Sequence, residues 1–211
     1  MGKIRTITDL QSRLDDSFAW RLKELSHLKS AIQSDSNRET NIRSAIALSY
    51  AHWEGFIKES SIYYLEFVLS RRLTYADLKN CFQVFGISKH LETLSATKSR
   101  TKQIEAINFI SKQANERPNI NARQAICTKS NLNSDVFKGI MHSLGLNIEH
   151  FETKSKLIDE QLLAKRNAIA HGEYCTMDYH GCTELLKEVI TLLRTYKNEI
   201  ENAASQESYR L

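Results

Sequence analysis

The chain has little that breaks a helix, with one proline, Pro118, and seven glycines in 211 residues, so long helices are expected. Its four cysteines, Cys81, Cys127, Cys175 and Cys182, show no Cys-x2-Cys spacing, and the N-terminus lacks the apolar core of a signal peptide. Both absences argue against a secreted, disulfide-stapled protein and for a reducing cytoplasm. No apolar run approaches the roughly 20 residues that cross a bilayer, since Glu54, Lys58 and Glu59 interrupt the richest stretch, so no membrane association is expected. A Gly-rich phosphate loop, a Gly-x-Ser-x-Gly elbow and a His-Glu-x2-His helix are all missing, and no cysteine is set up as a nucleophile. These gaps remove nucleotide-loop, serine-hydrolase and zincin chemistry, and no cofactor is expected.

What is present is ordinary for one globular domain: 41% hydrophobic and 26% charged residues, with no composition shift that would divide residues 1–211. The net charge of +4 permits contact with phosphate backbones without proving it. Thr8 with Gln11 and Ser36 with Glu39 fit the capping-box spacing and predict two helix starts. The first helix carries Leu10, Leu14, Phe18, Leu22, Leu25 and Leu28 and runs to about Gln33. The second, about Asn37 to Arg72, is apolar on two sides. One side holds Ile42, Ile46, Tyr50, Trp53, Ile57, Tyr64 and Val68, the other Ala45, Leu48, Phe56, Tyr63 and Phe67, which predicts a place at the centre of a bundle.

From about Leu73 to Ser130 shorter helices and loops are expected. Phe82, Val84 and Phe85 suggest a buried patch, Ile104, Ile107 and Ile110 a helix against the core, and Lys98, Arg100 and Lys102 a basic cluster that is either RNA-facing or simply solvated. Asn133-Ser134 opens a short helix that Gly145 stops. Thr176 or Asp178 opens a last amphipathic helix through Leu185, Val189, Leu193, Tyr196 and Ile200, and the tail after about Asn202 is expected to fray.

The most informative stretch is Arg166-Asn167-Ala168-Ile169-Ala170-His171, followed by Gly172. Leu157, Ile158, Leu162, Leu163 and Ile169 give a helical period from about Ser155, and Gly172 predicts its end, leaving His171 in the last turn where free carbonyls favour a protonated imidazole. Arg166 and His171 lie about 140° apart around the helix axis, so one helix does not converge them on a single group. Arg-x4-His alone is weak, because the arginine and histidine content gives about 0.4 matches by chance. Arg21 and His27 form a near-match of that kind. The context of Asn167, the small Ala170, Gly172 and a following apolar helix is what separates the two.

That context resembles the HEPN superfamily of nucleotide- and RNA-binding helical domains, many of which carry Arg-Asn-x3-His at the end of a late helix. Tyr50-Ala51-His52-Trp53-Glu54-Gly55-Phe56-Ile57-Lys58 is likewise similar to the early helix of stand-alone bacterial members linked to defence or toxin-antitoxin systems. The resemblance implies an all-α HEPN-type bundle with long N-terminal helices and shorter ones in the middle. It also implies a metal-independent endoribonuclease that leaves a 2′,3′-cyclic phosphate and a 5′-hydroxyl, a homodimer with a composite site, and an antitoxin or sensor partner. The alternative it leaves open is a non-catalytic module that binds RNA, nucleotide or protein. A further branch carries a modified tyrosine two residues after the histidine. Here Glu173 stands there and Tyr174 follows.

The residues themselves suit RNA cleavage, since the 2′-hydroxyl supplies the nucleophile and the enzyme need only move protons and stabilise charge. Arg166 and His171 are the catalytic candidates, with Asn167 on the histidine's helix face in support. Arg43, Glu54 and Lys58 line up on the second helix, so Glu54 is expected to orient Arg166 or His171, and Arg43 and Lys58 to bind substrate phosphate. Competing readings are a Glu54–Lys58 surface pair, and an Arg166 paired to Asp159, Glu160 or another carboxylate with His171 only capping carbonyls. Gly55 suggests close approach by another backbone. His171, Cys175, His180 and Cys182 offer four possible zinc ligands, but the long gap between the cysteines fits no known knuckle, and no metal is assigned.

Overall fold

The computed structural model describes residues 2–33, 38–175 and 177–211, with the Lys89 side chain also outside the description. Helices α1 (Ile7–Gln33) and α2 (Arg38–Ser70) lead into α3 (Asn80–Ala96), α4 (Arg100–Lys112), the single-turn α5 (Ala122–Ala125) and α6 (Ser134–Ser143). After these come α7 (Lys165–Ala170) and α8 (Tyr179–Ser205). Among the described residues there is no strand, only an isolated antiparallel bridge between Leu78 and Arg210. No described helix is long and apolar enough to cross a membrane.

α1, α2 and α8 pack against one another, and α2, about 50 Å long at 1.5 Å per residue, runs through the middle. Both expected apolar sides of α2 are buried except at Leu48, which stays 37% exposed. Across its midpoint an aromatic cluster joins four parts of the chain. Trp53 lies 4.9 Å from Phe137 of α6, which in turn meets Phe151 at 5.0 Å and Tyr196 of α8 at 5.7 Å. Removing such a ring costs about 3–5 kcal/mol, so this cluster fixes α6 and the 149–154 turn on the bundle.

Several local expectations need correction. The α1 cap is built by Thr6 and Asp9, whose side chains accept each other's backbone N–H at 3.0 and 2.9 Å, two residues before the Thr8–Gln11 pair. Asp9 is a charged acceptor, and Gln11 is not. The second expected cap falls on Ser36, outside the described residues. α4 packs on α3 and not on the core, with His90 stacked on Phe109 at 3.7 Å. Ile104 and Ile107 therefore remain 58% and 54% exposed, and Val84 of α3 48%. Nor does the C-terminal tail fray. Tyr209 is buried against Phe67, and Lys79 N–H and Leu211 N–H tie the tail to residues 77–79 through Tyr209 O and Asp77 O. Gly55 meets the Arg21 guanidinium, 3.3 Å from where a Cβ would stand, and not another backbone.

Candidate functional site

The segment before the motif is helical but wound as π from Leu157 to Ala164, where an ordinary α-helix was expected. Ile158 and Leu162 are buried, and the Asp159 carboxylate accepts from Ser134 N and Oγ at 2.7 and 2.6 Å. That anchor commits Asp159 to the start of α6 and removes it as a partner for Arg166. π turns are rare and concentrate at functional sites. The winding returns to α at Lys165, so the offset of about 140° between Arg166 and His171 still holds.

The helix then ends as a Schellman motif. Glu173 N–H bonds Ala168 O at 2.8 Å, Gly172 N–H bonds Ile169 O at 3.1 Å, and Gly172 has φ +76°. This places His171 as the last cap residue, its own N–H on Asn167 O at 2.9 Å and its side chain exposed. Arg43 of α2 donates to Glu173 O at 3.0 Å, so it pins the turn that carries the histidine. In the next residue, Tyr174, the phenol is 78% exposed, and the neighbouring Glu39 carboxylate raises its pKa.

Arg166 sits in a cage. Its guanidinium carbon is 4.1 Å from the centre of the Tyr50 ring, and Nη2 donates to Ser130 O at 3.1 Å and Asn131 Oδ1 at 3.3 Å. Glu54 Oε2 stands 4.0 Å from the same nitrogen, while Oε1 accepts from Thr128 Oγ1 at 2.6 Å. The side chains of Arg166 and Glu54 keep 23% and 18% of their surface open to solvent. Tyr50 is fixed in turn by accepting Leu132 N–H at 2.7 Å, and burial raises its pKa, so the phenol stays neutral under the cation.

Glu54 is thus next to Arg166, as expected from its place on α2. Lys58 is not part of the cage. It is exposed and lines a separate groove with Trp20, Arg21 and Arg123. The expected Glu54–Lys58 surface pair does not form among the described residues, while Arg166 does face a carboxylate, and the one it faces is Glu54, not Asp159 or Glu160. Nor does any described hydrogen bond or ion pair link the Arg166 and His171 side chains within one chain. Sequence reading missed Tyr50 as a ring platform, and Thr128, Ser130 and Asn131 as holders of the cage. The one local signal for them is the polar run Thr128-Lys129-Ser130-Asn131, where Lys129 and Ser130 take left-handed φ values of +55° and +56°. The four side chains weighed as zinc ligands do not gather, for Cys182 is buried in the core while His180 is exposed, and no three His, Cys, Asp or Glu side chains converge among the described residues.

An all-α bundle whose late helix ends in Arg-Asn-x3-His, with the arginine caged against the long second helix, defines a HEPN-class domain. The family model RiboL-PSP-HEPN matches residues 16–202, and the chain belongs to that family, among nuclease-like or RNA-related helical modules. No curated protein and no solved structure matches the chain.

Proposed function

We propose that the protein is a metal-independent endoribonuclease that cleaves RNA by attack of the 2′-hydroxyl on the adjacent phosphate and works as a toxin or defence effector. The observation that carries this reading is the Arg166 cage: a guanidinium held by Tyr50, Ser130 and Asn131, partly open to solvent, one and a half turns before an exposed histidine. A fixed guanidinium can donate two parallel bonds to the non-bridging oxygens of a phosphorane as charge develops, without reorganising. Glu54, 4.0 Å away, aims it. His171 moves the proton, and Asn167 supports it from the same face.

Internal attack needs one group to take the 2′-hydroxyl proton and another to give a proton to the leaving 5′-oxygen. Because Arg166 and His171 do not meet within one chain, a homodimer that brings two motif helices to one cleft supplies both. Light scattering combined with specific activity over a dilution series tests this. Activity per chain falls as a dimer dissociates, whereas constant activity from a monomer contradicts the composite site.

The experiment for the function itself is incubation of purified protein with total RNA in EDTA, alone and after co-expression with any antitoxin or sensor partner. Wild type is expected to cut, leaving 2′,3′-cyclic phosphate ends, while Arg166→Ala and His171→Ala do not. A second reading, a non-catalytic module that binds RNA, nucleotide or protein, is favoured by the fact that Nη2 of Arg166 already serves two protein acceptors. Intact RNA bound equally by all three proteins would establish that reading.

A further inference from the structure

A cleft of about 670 Å3 opens between the segment ahead of α1, the C-terminal part of α2 and the turn into α5. Lys3, Arg5, Arg13, Arg72 and Arg123 line it, against a single carboxylate, Glu66. None of the five cations makes an ion pair among the described residues. The nearby Asp9 carboxylate accepts from the backbone N–H groups of Arg5 and Thr6, at 3.0 and 2.9 Å, and these bonds, that of the Thr6 hydroxyl and the Arg13 charge hold its pKa below the ordinary value. The lining of the cleft itself, Asp9 apart, carries as much positive charge as the whole chain has in excess, +4. Like charges crowded in one concavity repel, and that cost is offset when a polyanion enters.

The shape of the chain links this cleft to the Arg166 cage. Glu66 and Glu54 lie on the same helix, twelve residues or about 18 Å apart along its axis and about 120° apart around it, so a nucleotide chain joining the two sites needs at least about five stacked nucleotides at 3.4 Å each. The strand of chain that lines the cleft at Arg123 continues through Thr128 to Ser130 and Asn131, which hold Arg166. We propose that the cleft binds the phosphodiester backbone of single-stranded RNA, at least about five nucleotides from the phosphate presented to Arg166. The position of the cut rests on the function proposed above. Binding in the cleft does not.

The test is fluorescence anisotropy with a labelled single-stranded 20-mer across a salt series, in a His171→Ala background so that RNA stays whole. Adding Arg13→Ala and Arg123→Ala is expected to weaken binding at least about tenfold at 0.15 M salt, and to lower the slope of log affinity against log salt by about 1.4, or 0.7 for each lost contact. Each single substitution, read if the double variant misfolds, should lower it by about 0.7. Unchanged affinity and slope overturn the proposal. So does an equal loss on Lys98→Ala with Lys102→Ala, which removes the same charge elsewhere. Inorganic tripolyphosphate provides the other arm: if it raises the melting temperature through Arg13 and Arg123 while RNA affinity ignores both, the cleft takes small polyphosphates and the RNA assignment fails. RNA that binds through the cleft but is never cut by wild type would leave this inference standing and remove the nuclease reading.

Discussion

Two arginines lean on the long helix α2, and their surroundings differ in a way that separates structure from proposed function. Arg21 is 6% exposed at its side chain, 3.1 Å from Glu59, and donates to Ser17 O and Oγ at 2.8 and 2.6 Å, with its guanidinium over Trp20 at 4.3 Å. Glu59 also accepts from Ser17 Oγ and from Tyr63 OH. Arg21 Nε alone of that group is buried without an acceptor. Arg166 has the same ingredients, an aromatic face and an α2 glutamate, but its carboxylate is at 4.0 Å and its side chain four times as open. A guanidinium buried almost to its last surface holds helices together. One held from behind and open in front has capacity for a phosphate.

The largest expected effect is on the open site. Arg166→Ala should lower RNA cleavage by about 10²–10³, the usual loss of a preorganised donor to developing charge, while the melting temperature moves little; single-turnover cleavage with a parallel thermal melt reads both. Next, Arg21→Ala should cost about 3 kcal/mol of stability, because it leaves Glu59 half-buried and unpaired, or about 6–12 °C for a chain of this size by calorimetry. Glu54→Gln keeps an acceptor for Thr128 but loses the charge beside Arg166. It should lower cleavage about tenfold, or 1.4 kcal/mol of barrier, with no comparable fall in melting temperature, and an unchanged rate would return Glu54 to scaffolding.

The smallest effect is at high pH and belongs to the closed site. Burial and then the Glu59 carboxylate push the Tyr63 phenol up to about 12 from its ordinary 10. The folded state thus holds the proton more tightly than the unfolded chain does, so this stabilisation is complete below pH 10 and is lost as pH rises through 12. Melting temperatures between pH 8 and 12 should fall more steeply for wild type than for Tyr63→Phe.

The two arginines also show how far sequence reasoning reaches. α2, α6 and α8 were legible because their apolar residues recur at helical spacing, and α6 and α8 also carry the expected caps, Asn133 and Asp178, which accept from Val136 N and Gly181 N at 2.8 Å each. The Schellman end at His171 followed from Gly172. Glu54 was expected to orient Arg166 or His171 from its register on α2, and it stands 4.0 Å from Arg166. By contrast, Lys58 was assigned to the site by its register with Glu54, yet one turn along the helix is enough to face another groove. The cage walls come from a loop some thirty-five residues before Arg166, joined to it only by folding, and no periodicity reports such a contact. The same limit hid where α4 packs: its isoleucines gave the helix, but it lies on α3 away from the core and leaves Ile104 and Ile107 exposed.

The most direct measurement of the central claim is the conservative pair Arg166→Lys and Arg21→Lys, assayed together for cleavage per folded chain and for thermal unfolding, below the melting point of both. Lysine keeps the charge and loses the planar fork. The open site predicts that Arg166→Lys melts like wild type and fails to cut RNA, while Arg21→Lys melts lower and cuts at the wild-type rate per folded chain. Wild-type cleavage by Arg166→Lys, or loss of cleavage in a fully folded Arg21→Lys, would contradict it.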